Sequence, residues 1–225
     1  MDPTPIHVEL ELTKKETICL PMMQLGVDAN LHSGTKYMGG HSDLLLGLVT
    51  TSPWTERGRA LGTRLKQVQY AAGAVASPFD SWLTLRGLRT LHVRVERACQ
   101  TALALATFLS THPSVHIVHY PGLEAHPQHD IAARQMKNGG FGGVLSFELP
   151  TEAQAMAVVG ALQTAQRATS LGGTETLVEH RASIEPPGRV TSPPGLLRVS
   201  VGLEDASDLI QDFARALAIA EEVTK

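Results

Sequence analysis

The sequence predicts an α/β fold in two lobes, and three observations carry that prediction. Aromatic residues are only 4% of the chain while hydrophobic residues make up 43%. Small apolar side chains do the filling, which suits helices laid closely on a sheet and argues against an all-β sandwich. The second half reads as strands alternating with helices. Between the halves, Leu88, Leu91, Val95, Cys99, Leu103, Ala106 and Leu109 recur at helical spacing. They predict one helix from about residue 80 to 110, roughly 30 residues long and a spine between the lobes, with Arg86, Arg89, Arg94 and Arg97 largely off its apolar stripe.

The elements follow in order. His7–Leu12 alternates apolar with acidic residues as a short strand does, and Met22–Val27 reads as a short helix ending at Gly26. Asn30–Ser33 is a strand running into a glycine-rich loop, and Leu44–Thr50 is a buried strand bounded by Ser52-Pro53. Trp54–Gly73 has a helical period, after which Ser77-Pro78-Phe79-Asp80 breaks the chain and offers helix caps. Strands are expected at Val115–Tyr120, Val144–Leu149 and Leu196–Val201, and helices at His129–Met136, Glu152–Gln163 and Ala206–Glu222. The last helix turns Leu209, Phe213 and Leu217 inward. Gly139–Gly143 is a turn, and Pro186–Gly195 is the one linker-like loop.

Composition narrows the function. The chain's 225 residues can bury a sizeable core, and a net charge of −3 with only short basic clusters leaves no footprint for nucleic acid. Cys19 and Cys99 are too few and too far apart for a disulfide framework or a cysteine zinc site. No apolar run reaches the ~18 residues a membrane helix needs, and the first residues lack a secretory pattern. The expected location is the cytoplasm.

The stretch most charged with chemistry is Leu31-His32-Ser33-Gly34-Thr35-Lys36-Tyr37-Met38-Gly39-Gly40-His41-Ser42-Asp43. A lysine amine is mostly protonated near neutrality, and becomes useful when it condenses with an aldehyde cofactor. Ser33 and Thr35 are spaced so that both hydroxyls reach one side of the loop, where a cofactor phosphate needs donors. On these residues alone, a surface lysine in a loop is the commoner reading. A nucleotide P-loop is excluded because hydroxyl and lysine stand in the wrong order. His41, Ser42 and Asp43 are too close in sequence to converge as a triad. His126 and His129 have loose metal-ligand spacing without a third ligand, so a capping or solvent-facing role is expected of them.

Leu31–Asp43 resembles the lysine segment of the Cys/Met-metabolism (trans-sulfuration) family of pyridoxal-phosphate (PLP) enzymes, which includes cystathionine γ-synthase, the cystathionine lyases and methionine γ-lyase. The likeness continues through Ala71–Asp80, Leu85–Leu91, Tyr120–Leu123, His126–His129, Phe141–Phe147, Ser170–Leu177 and Arg198–Asp205. These blocks stand in family order. The resemblance implies that Lys36 holds PLP as an imine and shuttles protons, and that Ser33 and Thr35 bind its phosphate. It implies further that Arg198 grips the substrate α-carboxylate with Ser170 beside it. A planar guanidinium can give a carboxylate two parallel hydrogen bonds, which agrees with that role for Arg198. Without the resemblance, Arg198 reads as an edge-strand surface arginine and Ser170 as a loop serine.

The resemblance also implies a fold and an assembly. Residues 1–85 are expected to be a remnant of the large, mainly parallel α/β cofactor domain of the PLP-dependent transferases (aspartate-aminotransferase-like, fold type I). Residues 86–225 would be the smaller carboxy-terminal α+β domain with an antiparallel sheet. The implied substrate is a sulfur amino acid (cystathionine, methionine or an activated homoserine), attacked at its γ or β carbon by a homo-oligomer, a tetramer in the family. The family's amino-terminal portion finds no match here: Glu11–Thr17 does not resemble its Val-Asp-Asn-Thr stretch, whose aspartate faces the pyridine nitrogen. Thr169 stands where several members carry glutamate, and the Pro186–Gly195 loop, near where substrate would arrive, is compressed. A shortened start is therefore expected, with uncovered apolar faces that favour association. The alternative reading is a non-catalytic fragment that partners a full-length paralogue.

Overall fold

The computed structural model describes residues 26–136 and 139–222, so the expected strand at His7–Leu12, most of the expected helix at Met22–Val27, and Cys19 lie outside the described residues. Two sheets organise the rest. β1 (Ala29–Ser33) and β2 (Gly47–Thr51) pair antiparallel as a ribbon. β3 (Ile117–His119), β4 (Val144–Glu148), β5 (Gln166–Arg167), β6 (Leu177–His180) and β7 (Leu196–Ser200) form a sheet in the order β3-β4-β7-β6-β5. Every pairing in that sheet is antiparallel except β5–β6, so the fold is α/β with a mixed sheet. β2 starts three residues later than its apolar run predicts, because Leu44 to Leu46 belong to the loop that closes the ribbon, and it is mostly exposed rather than buried, since it pairs only with β1 in a two-stranded ribbon.

Side-chain caps start three of the helices, one of them in the Ser77–Asp80 stretch where a cap is expected. Thr55 accepts the Gly58 N–H ahead of α1 (Glu56–Ala72), which ends on left-handed Gly73. Ser77 accepts the Asp80 N–H ahead of α2 (Pro78–Leu88), with proline in the first turn. Thr151 accepts the Gln154 N–H at the start of α5 (Glu152–Ala161). α4 (His129–Gln135), the short α6 (Arg181–Ile184) and α7 (Ala206–Glu222) complete the set with α3 (Leu91–Thr111).

The predicted single helix over 80–110 is instead α2 and α3, broken at Arg89-Thr90. The cause is tertiary. A Cβ at Gly87 would meet the Met38 and Gly39 carbonyl oxygens at 2.3 and 2.5 Å, so the lysine loop lies directly on the end of α2. Arg94 then reaches back, donating to Gly87 O at 2.7 Å and Thr90 Oγ1 at 3.0 Å, and ties the break together. Arg94 is consequently buried, not on the open face that its sequence position predicts.

Alternation along the strands sorts the large sheet into two faces. Leu145 and Phe147 of β4, Val178 of β6, and Leu197 and Val199 of β7 are all buried against α3, α5 and α7. Phe147 meets Phe213 of α7 edge to face with centroids 6.1 Å apart, and Leu209 and Leu217 turn inward beside it as their spacing predicts. Ala98, Ala102 and Ala106 let α3 approach closely. The opposite face carries Ser146, Glu179 and Arg198 side by side in register.

One polar anchor supports the apolar layer. Asp212 on α7 is buried, accepts the backbone N–H groups of Gln163, Thr164 and Ala165, and pairs with Arg215. Burial alone would raise its pKa; the N–H groups of Gln163, Ala165 and Thr164, with Arg215, outweigh that and hold it below its ordinary 3.8. A depressed carboxylate pKa stabilises the fold fully above the unfolded value, and that contribution is lost as pH falls through the folded value. Asp212→Ala is expected to cost about 2–3 kcal/mol in urea unfolding at pH 7, with the gap to wild type narrowing below about pH 4. An equal gap at pH 7 and pH 3 would contradict this account.

Candidate active site

β1 and β2 pair from Ala29↔Thr51 to Ser33↔Gly47, so the residues between them form one closed loop carrying Lys36. Gly34 N bonds Leu46 O at 2.7 Å, and Leu46 N bonds Thr35 Oγ1 at 3.0 Å, fastening the loop's base. Gly34–Met38 makes one wide helical turn, closed by Gly39 N on Gly34 O and Gly40 N on Lys36 O. Lys36 itself leaves the helical region, at φ −92° and ψ −132°.

Two other elements clamp the loop. From α3, the Arg94 guanidinium donates to Tyr37 O at 2.8 Å and lies against Gly40, where a Cβ would meet it at 2.0 Å. Burial lowers the Arg94 pKa from its ordinary value, and the group remains a cation. From the segment before β6, Gly172 at φ +81° approaches the Lys36–Tyr37 peptide so closely that a Cβ would meet Tyr37 N at 2.7 Å. A bulkier residue at any of these glycines would push the loop away.

Three of the candidate residues, Lys36, Ser170 and Arg198, far apart in sequence, come together here. Lys36 Nζ donates to Ser170 Oγ at 2.7 Å, and Arg198 Nη2 donates to Ser170 O at 2.8 Å. Ser170 has φ +89°, a value serine rarely adopts, and held strain of this kind concentrates at functional sites. Arg198 Nη2 also bonds Glu179 Oε2 at 2.9 Å, while its Nε is buried and has no hydrogen-bond partner among the described residues. Nη1 makes no hydrogen bond among the described residues, so the guanidinium still has a donor to give.

Ser33 and Thr35 line one open cavity of about 360 Å³ together with Leu46. Thr35 also borders a second, of about 450 Å³, with Ser42, Thr169, Ser170 and Glu175. Because Thr35 Oγ1 accepts from Leu46 N, its O–H remains a donor toward a ligand. Lys36 and Arg198 line neither cavity; they meet the second through Ser170, which both contact. An amine, hydroxyl donors and a guanidinium joined in this way fit an aldehyde that carries a phosphate, together with a carboxylate substrate.

The remaining sequence candidates stay structural. His41 bonds Gly39 O through Nδ1 rather than Ser42. His126 accepts the Gln128 N–H, and the His129 ring bonds Pro121 O, so both shape the start of α4. Sequence reasoning missed Arg94, Gly172 and Glu179. The double glycine at 172–173 was a signal for a close backbone approach; the two charged residues gave none, since their burial depends on partners distant in sequence.

The family described as "Cys/Met metabolism PLP-dependent enzyme" matches residues 14–218. Over 202 residues the chain is 43% identical to a cystathionine gamma-lyase of Bacillus subtilis, covering 87% of this chain and 52% of that protein. It is 44% identical over 200 residues to a cystathionine gamma-synthase of Mycobacterium bovis, covering 87% and 50%. A solved cystathionine gamma synthase from Xanthomonas oryzae, in complex with aminoacrylate and cysteine, superposes with a TM-score of 0.83 at 40% identity, covering 91% of this chain and 53% of that one. The chain thus spans about half the length of the curated relatives it matches.

Proposed function

The chain belongs to the Cys/Met-metabolism family of PLP-dependent enzymes, and from that premise we propose that it carries the lysine half of a trans-sulfuration active site. The observation that supports this most is the unbroken contact from Lys36 through Ser170 to Arg198. Bound PLP, an electron sink, supplies the stabilisation that lets a proton leave the substrate's α carbon. Lys36 would hold the cofactor aldehyde, with Ser33 and Thr35 giving hydroxyl hydrogen bonds to its phosphate. Lys36 Nζ would then take and return protons at the substrate carbons, kept in place between turns by Ser170 Oγ. Arg198 would hold the substrate carboxylate and so aim the rest of the molecule past Ser170 toward the cavity beside Thr169.

The substrate class is a sulfur amino acid cut or exchanged at its γ or β carbon, as the names of the relatives suggest, and the compartment is the cytoplasm. On this reading residues up to about 85 belong to the cofactor domain and residues 86–225 to the smaller carboxy-terminal domain. Self-association is part of the proposal. Leu31, Leu45, Trp54, Tyr70 and Val75 are each more than two-thirds exposed, an apolar surface that favours covering by further chain or a second subunit. Among the described residues, no helix is long and apolar enough to cross a membrane.

Titrating the protein with PLP and scanning the visible spectrum tests the reading. A saturable visible band that borohydride removes is expected, followed by release of 2-oxo acid and ammonia from cystathionine or methionine, or by exchange on a homoserine ester. Absence of the band would leave the alternative, a non-catalytic partner of a full-length relative. A monodisperse monomer in sedimentation would remove the self-association.

A further inference from the structure

Among the described residues, Glu179 is the one carboxylate that pairs with Arg198, and it lies on the site face of the large sheet. Its side chain is only 3% exposed, and β6–β7 register sets it directly across from that arginine. One oxygen, Oε2, takes Arg198 Nη2 at 2.9 Å; the other, Oε1, takes Arg181 Nη1 at 3.2 Å. A buried carboxylate shared by two guanidiniums is held hard, and whatever it holds is held with it. On the far side, Arg181 Nε lies 3.5 Å from Glu185 Oε1. Glu185 in turn accepts Thr191 N at 2.6 Å and Ser192 Oγ at 2.5 Å, closing the Pro186–Gly195 loop on itself. The Ser192 hydroxyl and the Thr191 N–H hold the Glu185 carboxyl down at about 2, so it is ionised at any working pH.

On the near side, Arg198 bonds Ser170 O, and Ser170 Oγ bonds Lys36 Nζ. A continuous polar chain therefore runs from the 186–195 loop through Glu179 to the lysine. We propose that Glu179 is the positioning residue of this site, fixing the Arg198 guanidinium for a substrate carboxylate and tying it, through Arg181 and Glu185, to the 186–195 loop. The inference rests on the trans-sulfuration reading. It adds to that reading a residue that touches neither cofactor nor substrate, and a loop whose order depends on it.

The test compares wild type, Glu179→Gln, Glu179→Asp and Arg181→Ala, each loaded with PLP. Glu179→Gln keeps the shape and loses the charge. It is expected to raise KM for the amino-acid substrate about 10- to 50-fold with kcat within about threefold, and Glu179→Asp to recover part of that loss. The Lys36-dependent visible band is expected to be unchanged. Independently of activity, trypsin is expected to cut after Arg189 several-fold faster in both Glu179→Gln and Arg181→Ala, while Arg181→Ala raises KM less. A merely structural role would lower melting temperature and kcat together without a KM split, and that result overturns the proposal. So does an unchanged KM in a protein whose visible band is intact. A wild-type protein with no visible band sinks the trans-sulfuration reading itself, and the positioning role falls with it.

Discussion

Lys36→Ala is expected to abolish the borohydride-sensitive visible band and to lower turnover by about 10⁴-fold, the upper end of what one proton-moving group supplies. Two functions are removed at once, the amine that would hold the cofactor aldehyde and the base that would move protons. The fold should not notice. Lys36 is half-buried and among the described residues its one side-chain hydrogen bond is to the Ser170 hydroxyl, whereas the loop is held by backbone bonds from Gly34, Gly39 and Gly40 and by Arg94 on Tyr37 O. Circular dichroism and melting temperature are thus expected to match wild type while the spectrum differs. Lys36→Arg keeps the charge and cannot condense, so it should behave like alanine in the spectrum. A visible band of equal strength in Lys36→Ala would mean that another amine carries the cofactor, and the assignment of the site would fail.

The parts of this structure that local chemistry decides were readable in the chain. β4 and β7 alternate cleanly because one face is packed by Phe213, Leu209 and Leu217, and α7 has the bounds that its period predicts. The cap at Ser77 marks a helix start through its own hydroxyl. What stayed hidden depends on residues distant in sequence. Nothing near Arg89 announces a break; it follows from the Met38 and Gly39 carbonyls resting on Gly87. β5 and β6 are two and four residues long, and β6 is half charged or imidazole, so neither period nor propensity marks them. Glu179 is invisible for the same reason: its burial is made by Arg198 and Arg181. As for the site, Lys36 and Ser170 are 134 residues apart, and only the likeness of whole blocks to a family linked them before the geometry did.

Arg198→Lys separates charge from shape at the substrate side. Arg198 spends Nη2 on Ser170 O and Glu179 Oε2, and among the described residues Nη1 makes no hydrogen bond, which leaves it to meet a carboxylate. An ammonium can pair with Glu179 or with substrate, but its single nitrogen cannot reach Ser170 O, Glu179 and a substrate carboxylate at once as the wider guanidinium does. A fall in kcat/KM of about 100-fold is expected, equivalent to about 2.7 kcal/mol, most of it in KM because the carboxylate is held alike in the ground and transition states. Arg198→Ala should lose about tenfold more, and should also destabilise the fold modestly, since Glu179 keeps Arg181 as a partner and is not left a bare buried charge. The visible band should persist in both variants, because Lys36 is untouched. Stopped-flow or steady-state assays over a wide substrate range would read the split directly. A lysine variant with KM within twofold of wild type would show that the carboxylate is held elsewhere. In that event the buried Arg198–Glu179 pair is only a strut of the sheet, and Ser170, still strained at φ +89°, would have to find its purpose in Lys36 alone.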